Sequence, residues 1–69
     1  MQIKINGRMR QVEPGTTLAG LLAELGLEGK RVAVEHNGRV LGAAEDREGI
    51  ALADGDTLEV VRLVGGGQP

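Results

Sequence analysis

The chain has 69 residues, enough for one domain with a modest hydrophobic core. It lacks cysteine, so no disulfide can stabilise it, and it lacks Phe, Tyr and Trp, which excludes base stacking and an aromatic ligand cage. Its formal charge of −2 excludes a broad basic surface for nucleic acid, and no apolar run is long enough to span a membrane. We therefore expect a cytoplasmic domain without nucleic-acid or membrane partners.

The N-terminal segment predicts a β-hairpin. Polar and apolar residues alternate over Gln2–Ile5, as in a half-buried strand. Asn6 and Gly7 follow, and both tolerate the positive φ angles of a tight hairpin turn. Residues 9–12 form the expected returning strand, which ends before Pro14.

A helix is predicted next, with Thr16 or Thr17 as its N-cap. Four leucines at i, i+3, i+4 and i+7 form an apolar stripe, namely Leu18, Leu21, Leu22 and Leu25. Gly26 follows the stripe, where a left-handed C-terminal cap favours glycine. Gly20 inside the helix costs roughly 1 kcal/mol relative to alanine. We expect close packing against the sheet to explain this glycine.

The second half of the chain predicts three further strands. They are Val32–His36, Arg39–Leu41 after a turn at Asn37 and Gly38, and residues 57–64 after a turn at residues 54–56. Residues 42–49 show no periodicity, and Ile50 and Leu52 are expected to fold back onto the core.

This order of elements predicts an α+β fold in two layers. The last strand can pair beside the first, in the middle of a mixed sheet of four to five strands with one helix on one face, which is the ubiquitin-like β-grasp arrangement. The expected domain spans residues 1–64, and residues 65–69 form a glycine-rich tail. The predicted core consists of Ile3, Ile5, Leu18, Leu22, Leu25, Val34, Leu58 and Val60.

The tail contains Gly65, Gly66 and Gly67, followed by Gln68 and Pro69, and is expected to be mobile. It is not a phosphate-binding loop, because neither a helix nor a Lys-Ser/Thr pair follows it. Taken alone, such a segment is also what a disordered chain end looks like. A ubiquitin-like strand order directly before it favours a functional tail.

The chain resembles the ThiS family, the thiamine-pathway sulfur carriers, over essentially its whole length. The resemblance rests on Asn6 and Gly7, the helix from Thr17 to Leu25, the Val32-Ala33-Val34 run before Asn37 and Gly38, the Leu52-to-Asp56 turn, the Leu58-to-Val61 run and the three tail glycines. None of these features is specific alone, whereas their order and spacing together are specific.

The resemblance implies a carrier that is itself no enzyme and binds no cofactor. A ThiF-like adenylating enzyme would use ATP to activate the C-terminal glycine, here Gly67 with Gly66 as the alternative. A sulfur donor would convert it to a thiocarboxylate, which would supply sulfur to a ThiG-like thiazole synthase. The family acts through a terminal glycine, whereas Gln68 and Pro69 follow Gly67 here, so we expect a protease to trim the chain.

Other candidate sites carry weaker signals. Val61 and Leu63 lie opposite in phase to Leu58 and Val60, so they are expected either to form a partner-docking patch or to be covered by residues 42–49. His36 is the single histidine; it occupies a slot that is usually apolar in the family, and a partly buried hairpin residue is favoured over a metal ligand. Glu45, Asp46 and Glu48 are interpreted as a solvated loop, and Asp54 and Asp56 as turn formers and not as a catalytic pair.

Three classes of function are open to a chain with these features. The first is a sulfur carrier for thiazole, with molybdopterin synthesis and tRNA thiolation as alternatives that use the same tail chemistry. The second is a ubiquitin-like module that binds partners noncovalently. A free-standing enzyme is disfavoured, because the sequence shows no nucleophile–base pair and no metal constellation.

Overall fold

The computed structural model describes residues 1–42 and 47–63. Within these residues the elements are β1 (Gln2–Ile5), β2 (Arg8–Gln11), α1 (Leu18–Glu24), β3 (Val32–His36), β4 (Arg39–Leu41), a short 3₁₀ helix (Arg47–Gly49) and β5 (Thr57–Arg62). The acids Glu45 and Asp46 and the whole of residues 64–69 lie outside the described part, and so does the predicted boundary between domain and tail.

Two Asn-Gly turns form the hairpins. Asn6 and Gly7 have φ angles of 50° and 86°, and Asn37 and Gly38 have φ angles of 50° and 85°. Positive φ at both central residues is the type I′ geometry, whose twist matches that of the flanking strands. The doublets therefore fix the β1–β2 and β3–β4 pairings locally, as the sequence predicts.

The five strands form one mixed sheet in the order β2-β1-β5-β3-β4. The central strand β5 runs parallel to β1 and antiparallel to β3, with Leu58 opposite Ile5 on one side and His36 on the other. The last strand thus lies beside the first in the middle of the sheet, and the predicted β-grasp fold is confirmed.

Helix α1 begins and ends as its sequence indicates. The Thr17 hydroxyl accepts a hydrogen bond from the Gly20 amide at 3.1 Å, which identifies Thr17 as the N-cap. At the other end the Gly26 amide donates to the Ala23 carbonyl and the Leu27 amide to the Leu22 carbonyl. This pair of bonds is a Schellman motif, and Gly26, with a φ of 78°, takes its left-handed position.

The core lies between α1 and the sheet. Its buried members are Ile3, Val12, Leu18, Leu21, Leu22, Val32, Val34, Leu41, Leu52, Leu58 and Val60. Six of the eight predicted core residues are among them, while Ile5 and Leu25 only pack against the margin. Both stand where an element ends, Ile5 before the first turn and Leu25 as the helix C-cap, so neighbours cover them on fewer sides.

Two strand boundaries differ from the predicted ones. Strand β2 covers Arg8–Gln11 and not residues 9–12, because Arg8 pairs with Ile5 across the two-residue turn. Val12 lies just beyond the strand and is buried. Strand β5 ends at Arg62, although the Leu63 amide still donates to the Arg31 carbonyl at 2.8 Å.

The expectation that Gly20 packs against the sheet is wrong. Gly20 is exposed, and a Cβ placed on it would meet only the Thr17 hydroxyl oxygen at 3.4 Å and the Thr16 methyl group at 3.6 Å. Both are side-chain atoms of the N-terminal turn. The helix therefore has room for a methyl group at this position.

We expect Gly20→Ala to stabilise the domain by about 0.5–1 kcal/mol, because alanine loses less backbone entropy on folding into a helix. Urea unfolding followed by circular dichroism measures the change. Ala19→Gly, one position earlier in the same helix, is the matched control and should have the opposite sign. A lower free energy of unfolding for Gly20→Ala would show that the contact with Thr17 disturbs the cap.

Candidate functional site

The face of the sheet that points away from α1 carries exposed apolar side chains. Strand register places Ala33 opposite Val61, and Val40 opposite Glu35. Residues opposite one another share a face, so these four side chains lie on the outer face together with Glu59. Val40 is 73% exposed and Val61 is 57% exposed. We refer to Ala33, Glu35, Val40, Glu59 and Val61 as the outer patch.

Val61 and Leu63 have the outward phase that alternation predicts. Leu58 and Val60 are 1% and 8% exposed, whereas Val61 and Leu63 are 57% and 44% exposed. Neither of the latter is buried by the described residues, and residues 43–46 of the alternative covering segment lie outside the described part. Their role in docking a partner stays a prediction.

The predicted tail begins directly after this surface. Leu63 is the last residue that the structure describes before Gly65, Gly66 and Gly67, which lie outside the described residues with Gln68 and Pro69. The Leu63 amide is held by the Arg31 carbonyl, which continues the pairing of β5 with the chain before β3. The sheet therefore holds the chain to within two residues of the first tail glycine.

A polar cluster joins the β3–β4 turn to the segment before β5. The His36 Nε2 lies 2.9 Å from Asp56 Oδ2, and the Asn37 Nδ2 donates to Asp56 Oδ1 at 3.0 Å. The Ala53 amide donates to Asp56 Oδ2 at 2.9 Å, and the Thr57 amide donates to Asn37 Oδ1 at 2.8 Å. His36 is thus a partly buried hairpin residue, as favoured by the sequence, and its polar ring is accommodated by a carboxylate.

The turn acids have structural partners. Asp54 Oδ1 accepts from the Gln2 amide at 2.6 Å, and Asp56 accepts from the groups of the polar cluster. Within residues 1–42 and 47–63, no three His, Asp or Glu side chains come together as a metal site would require. In the same part of the chain, no helix is long and apolar enough to cross a bilayer.

The pKa of Asp56 reflects opposing effects. Burial disfavours the carboxylate and raises its pKa. Hydrogen bonds from Asn37, His36 and the Ala53 amide, together with the charge of His36, lower the pKa by more than burial raises it. The net pKa of Asp56 lies below its ordinary value of 3.8. A depressed pKa stabilises the folded state above the unfolded pKa, and this contribution is lost as the pH falls through the folded pKa.

We expect Asp56→Asn to lower the free energy of unfolding near neutral pH by about 1–3 kcal/mol, because it removes a charged acceptor of several hydrogen bonds. The difference in free energy of unfolding between Asp56→Asn and the unmodified chain should shrink as the pH falls below about 4, where the Asp56 carboxyl itself becomes protonated. Urea unfolding at a series of pH values measures this. Glu13→Gln, in the exposed loop before α1, is the control; a difference for Asp56→Asn that does not depend on pH would contradict the assignment.

Sequence reasoning missed two features. The Asn6 side chain donates from Nδ2 to the Val60 carbonyl at 3.1 Å and accepts at Oδ1 from the Val60 amide at 2.8 Å, so it ties the first hairpin to β5. The Asn-Gly doublet indicates the turn but not this long-range contact. The outer patch was also missed apart from Val61, because its members come from three strands whose adjacency no local pattern shows.

Comparison with known families gives a match along nearly the whole chain. The model of the ThiS family matches residues 3–67. The sulfur carrier protein ThiS of Bacillus subtilis is 38% identical over 66 residues, which cover 94% of this chain and 98% of that protein.

Two longer proteins contain a similar segment. A thiazole synthase of Magnetococcus marinus is 43% identical over 68 residues, and a thiazole synthase of Paramagnetospirillum magneticum is 39% identical over 67 residues. These alignments cover 99% and 97% of this chain, which spans only 21% and 20% of the two synthases.

A solved structure has the same fold. The crystal structure of the thiamine biosynthesis protein ThiS from Geobacter metallireducens superposes with a TM-score of 0.79 at 31% identity. The match covers 97% of this chain and 100% of that one.

Proposed function

The chain belongs to the ThiS family, and from this premise we propose that it is a sulfur carrier protein of thiamine biosynthesis. One observation carries the proposal: the family match extends to residue 67 and so includes all three tail glycines. In this proposal Gly67 carries the sulfur, Gly66 is the alternative, and the folded domain presents the tail to partner enzymes.

The proposed chemistry needs an activated carboxylate. A free α-carboxylate, with a pKa of about 3.3–3.7, is ionised at neutral pH and is a poor electrophile. Attack of this carboxylate on the α-phosphate of ATP releases pyrophosphate and leaves an acyl adenylate on the terminal glycine. Hydrosulfide released by the donor then attacks the acyl carbon, the bond from that carbon to the phosphate oxygen breaks with departure of AMP, and loss of the remaining S–H proton leaves the thiocarboxylate.

The tail residues suit such a transfer. Glycine has no Cβ, so extended glycines can enter a narrow channel that would exclude other residues. Four residues after Leu63 reach Gly67, a span of at most about 13–14 Å when fully extended. That distance lets the terminal carboxylate reach a buried nucleotide while the sheet stays outside. The chain supplies a carrier group and the partner enzymes supply catalysis, so it acts as a cosubstrate.

The proposed partners are a ThiF-like adenylating enzyme, a sulfur donor and a ThiG-like thiazole synthase. Support for the synthase comes from the two thiazole synthases that contain a segment similar to this chain within one protein. Val61 and Leu63, exposed and directly before the tail, are the proposed docking residues. The cytoplasmic location expected from the sequence stays a prediction.

The function is tested by intact mass. A version that ends at Gly67 is incubated with the adenylating enzyme of the same organism, ATP and a sulfur donor. We expect the mass to rise by the difference between sulfur and oxygen, and only when ATP is present. A version that ends at Leu63 retains every described residue but lacks the three glycines, and it should stay unmodified.

Absence of the mass change with an adenylating enzyme that is demonstrably active would refute the proposal and favour a noncovalent interaction module. If thiocarboxylate forms but is consumed only by enzymes of molybdopterin synthesis or tRNA thiolation, the carrier chemistry stands and the thiazole assignment falls.

A further inference from the structure

Two carboxylates face each other in the middle of the outer patch. Glu35 of β3 is registered directly opposite Glu59 of β5, on the face that points away from α1. Residues in this relation have Cβ atoms about 4.5–5.5 Å apart. The arrangement brings two negative charges close together on adjacent strands.

No described cation neutralises this pair. The ion pairs within 4.0 Å in the described residues are Arg10 with Glu24 and His36 with Asp56, and neither involves Glu35 or Glu59. Like charges directly opposite each other destabilise a sheet. Lys4, registered opposite Thr57 on the same face, also makes no described ion pair with Glu59, so none of the described ion pairs offsets the repulsion between Glu35 and Glu59.

Apolar side chains lie beside the two carboxylates on the side toward Leu63 and strand β4. Val40 lies opposite Glu35 on one side, and the Ala33–Val61 pair lies two residues along the same two strands. These side chains form a shallow apolar surface with Glu35 and Glu59 in its lining. A protein that covers this surface would remove water from the carboxylates, and unpaired carboxylates in a dry interface are strongly unfavourable.

We propose that the outer patch docks a thiazole synthase surface that presents an arginine among apolar residues, with the guanidinium shared between Glu35 and Glu59. A planar guanidinium has donors in a fixed fork and can serve both carboxylates, while Ala33, Val40 and Val61 contact the apolar rim. This inference rests on the proposed function and adds the chemistry of the partner: a cationic centre in an apolar ring. The pair then acts as a specificity determinant, because an acidic or purely apolar surface is disfavoured.

Two observations point to the synthase as the occupant of the outer patch. Two thiazole synthases carry a segment similar to this chain in the same protein, so a surface suited to this domain is expected on that enzyme. The outer patch also adjoins Leu63, from which the tail starts, so a partner seated there lies beside the carrier end of the chain.

The test measures binding of the full chain to the purified thiazole synthase of the same organism by titration calorimetry at low and high salt. Glu35→Gln, Glu59→Gln and the double variant keep the side-chain shape and remove charge. We expect the double variant to bind at least about tenfold more weakly and to lose most of the salt dependence of binding. Glu13→Gln removes the same charge from a loop outside the patch and should bind as the unmodified chain does.

Stability separates a docking role from a structural one. Because removal of the charges relieves repulsion, we expect the double variant to unfold at a urea concentration equal to or higher than that of the unmodified chain. Weaker binding with unchanged or greater stability is the result that supports the proposal. Weaker binding that accompanies a lower unfolding midpoint would overturn it.

Three other results would also overturn the proposal. They are unchanged affinity of the double variant, an equal loss of affinity for Glu13→Gln, and failure of the synthase to bind the unmodified chain while the adenylating enzyme binds it.

The thiocarboxylation assay distinguishes failure of the docking proposal from failure of the carrier proposal. If the version ending at Gly67 gains sulfur while the charge variants bind normally, the docking site is wrong and the carrier function stands. If the double variant loses binding while the version ending at Gly67 gains no sulfur, the docking site stands and the carrier function is wrong.

Discussion

Replacement of Leu22 by alanine should lower the free energy of unfolding by about 2–5 kcal/mol. Leu22 is 5% exposed and belongs to the core between α1 and the sheet. Truncation leaves a cavity in a domain whose described residues contain one α-helix and whose sequence has no cysteine for a disulfide. Since small domains have a total stability of about 5–15 kcal/mol, this loss can be most of what holds the fold together.

Urea unfolding monitored by circular dichroism measures the free energy of unfolding of the Leu22→Ala variant. Val61→Ala is the matched control, because it removes an aliphatic side chain that is exposed on the other face of the sheet. We expect the control to change the free energy by no more than about 0.5 kcal/mol. A change below about 1 kcal/mol for Leu22→Ala would mean that the leucine stripe does not form the interior that the structure shows.

Trimming of the C-terminus should decide whether the chain can be activated at all. In the full chain the Gly67 carbonyl is joined to Gln68 by an amide, so Gly67 has no carboxylate to offer ATP. A carboxylate on Pro69 would be a poor substitute, because the proline ring fixes φ and adds bulk where a channel for glycine has no room. We expect ATP-dependent thiocarboxylate on the version that ends at Gly67 and none on the full chain.

Intact mass on the two versions, incubated side by side with the adenylating enzyme, ATP and a sulfur donor, makes the comparison. A version ending at Gly66 tests the alternative carrier glycine. Equal modification of both the full chain and the trimmed version, with sulfur on Pro69, would refute the need for a processing protease. Modification of the full chain only after a proteolytic step would identify that protease as a partner.

The fold was predictable from the sequence because its signals are local. The Asn-Gly doublets require positive φ, and they set both hairpins without reference to the rest of the chain. The leucine stripe has the period of a helix, and Gly26 ends it with a Schellman motif. Six of the eight predicted core residues followed from these two periods, since a strand or helix with one apolar face must bury that face.

Errors arose where neighbours and not local pattern decided the outcome. Gly20 was assigned to sheet packing, yet its surroundings are the two threonines of its own N-terminal turn. Ile5 and Leu25 have core-like sequence positions but stand at element ends, where fewer residues cover them. The contact of the Asn6 side chain with Val60 joins positions far apart in the chain, and no doublet or period encodes it.

The sequence by itself determined the family and the outward phase of Val61 and Leu63, because each depends on residue type and spacing along the chain, whereas the glycine tail stays a prediction. The opposition of Glu35 and Glu59 was decided only by the tertiary structure. Strand register between β3 and β5 brings these residues face to face, and a shift of one position would have turned one of them toward the core. Register depends on the packing of the whole sheet against α1, so the charge pattern of the outer patch emerges only when the chain is folded.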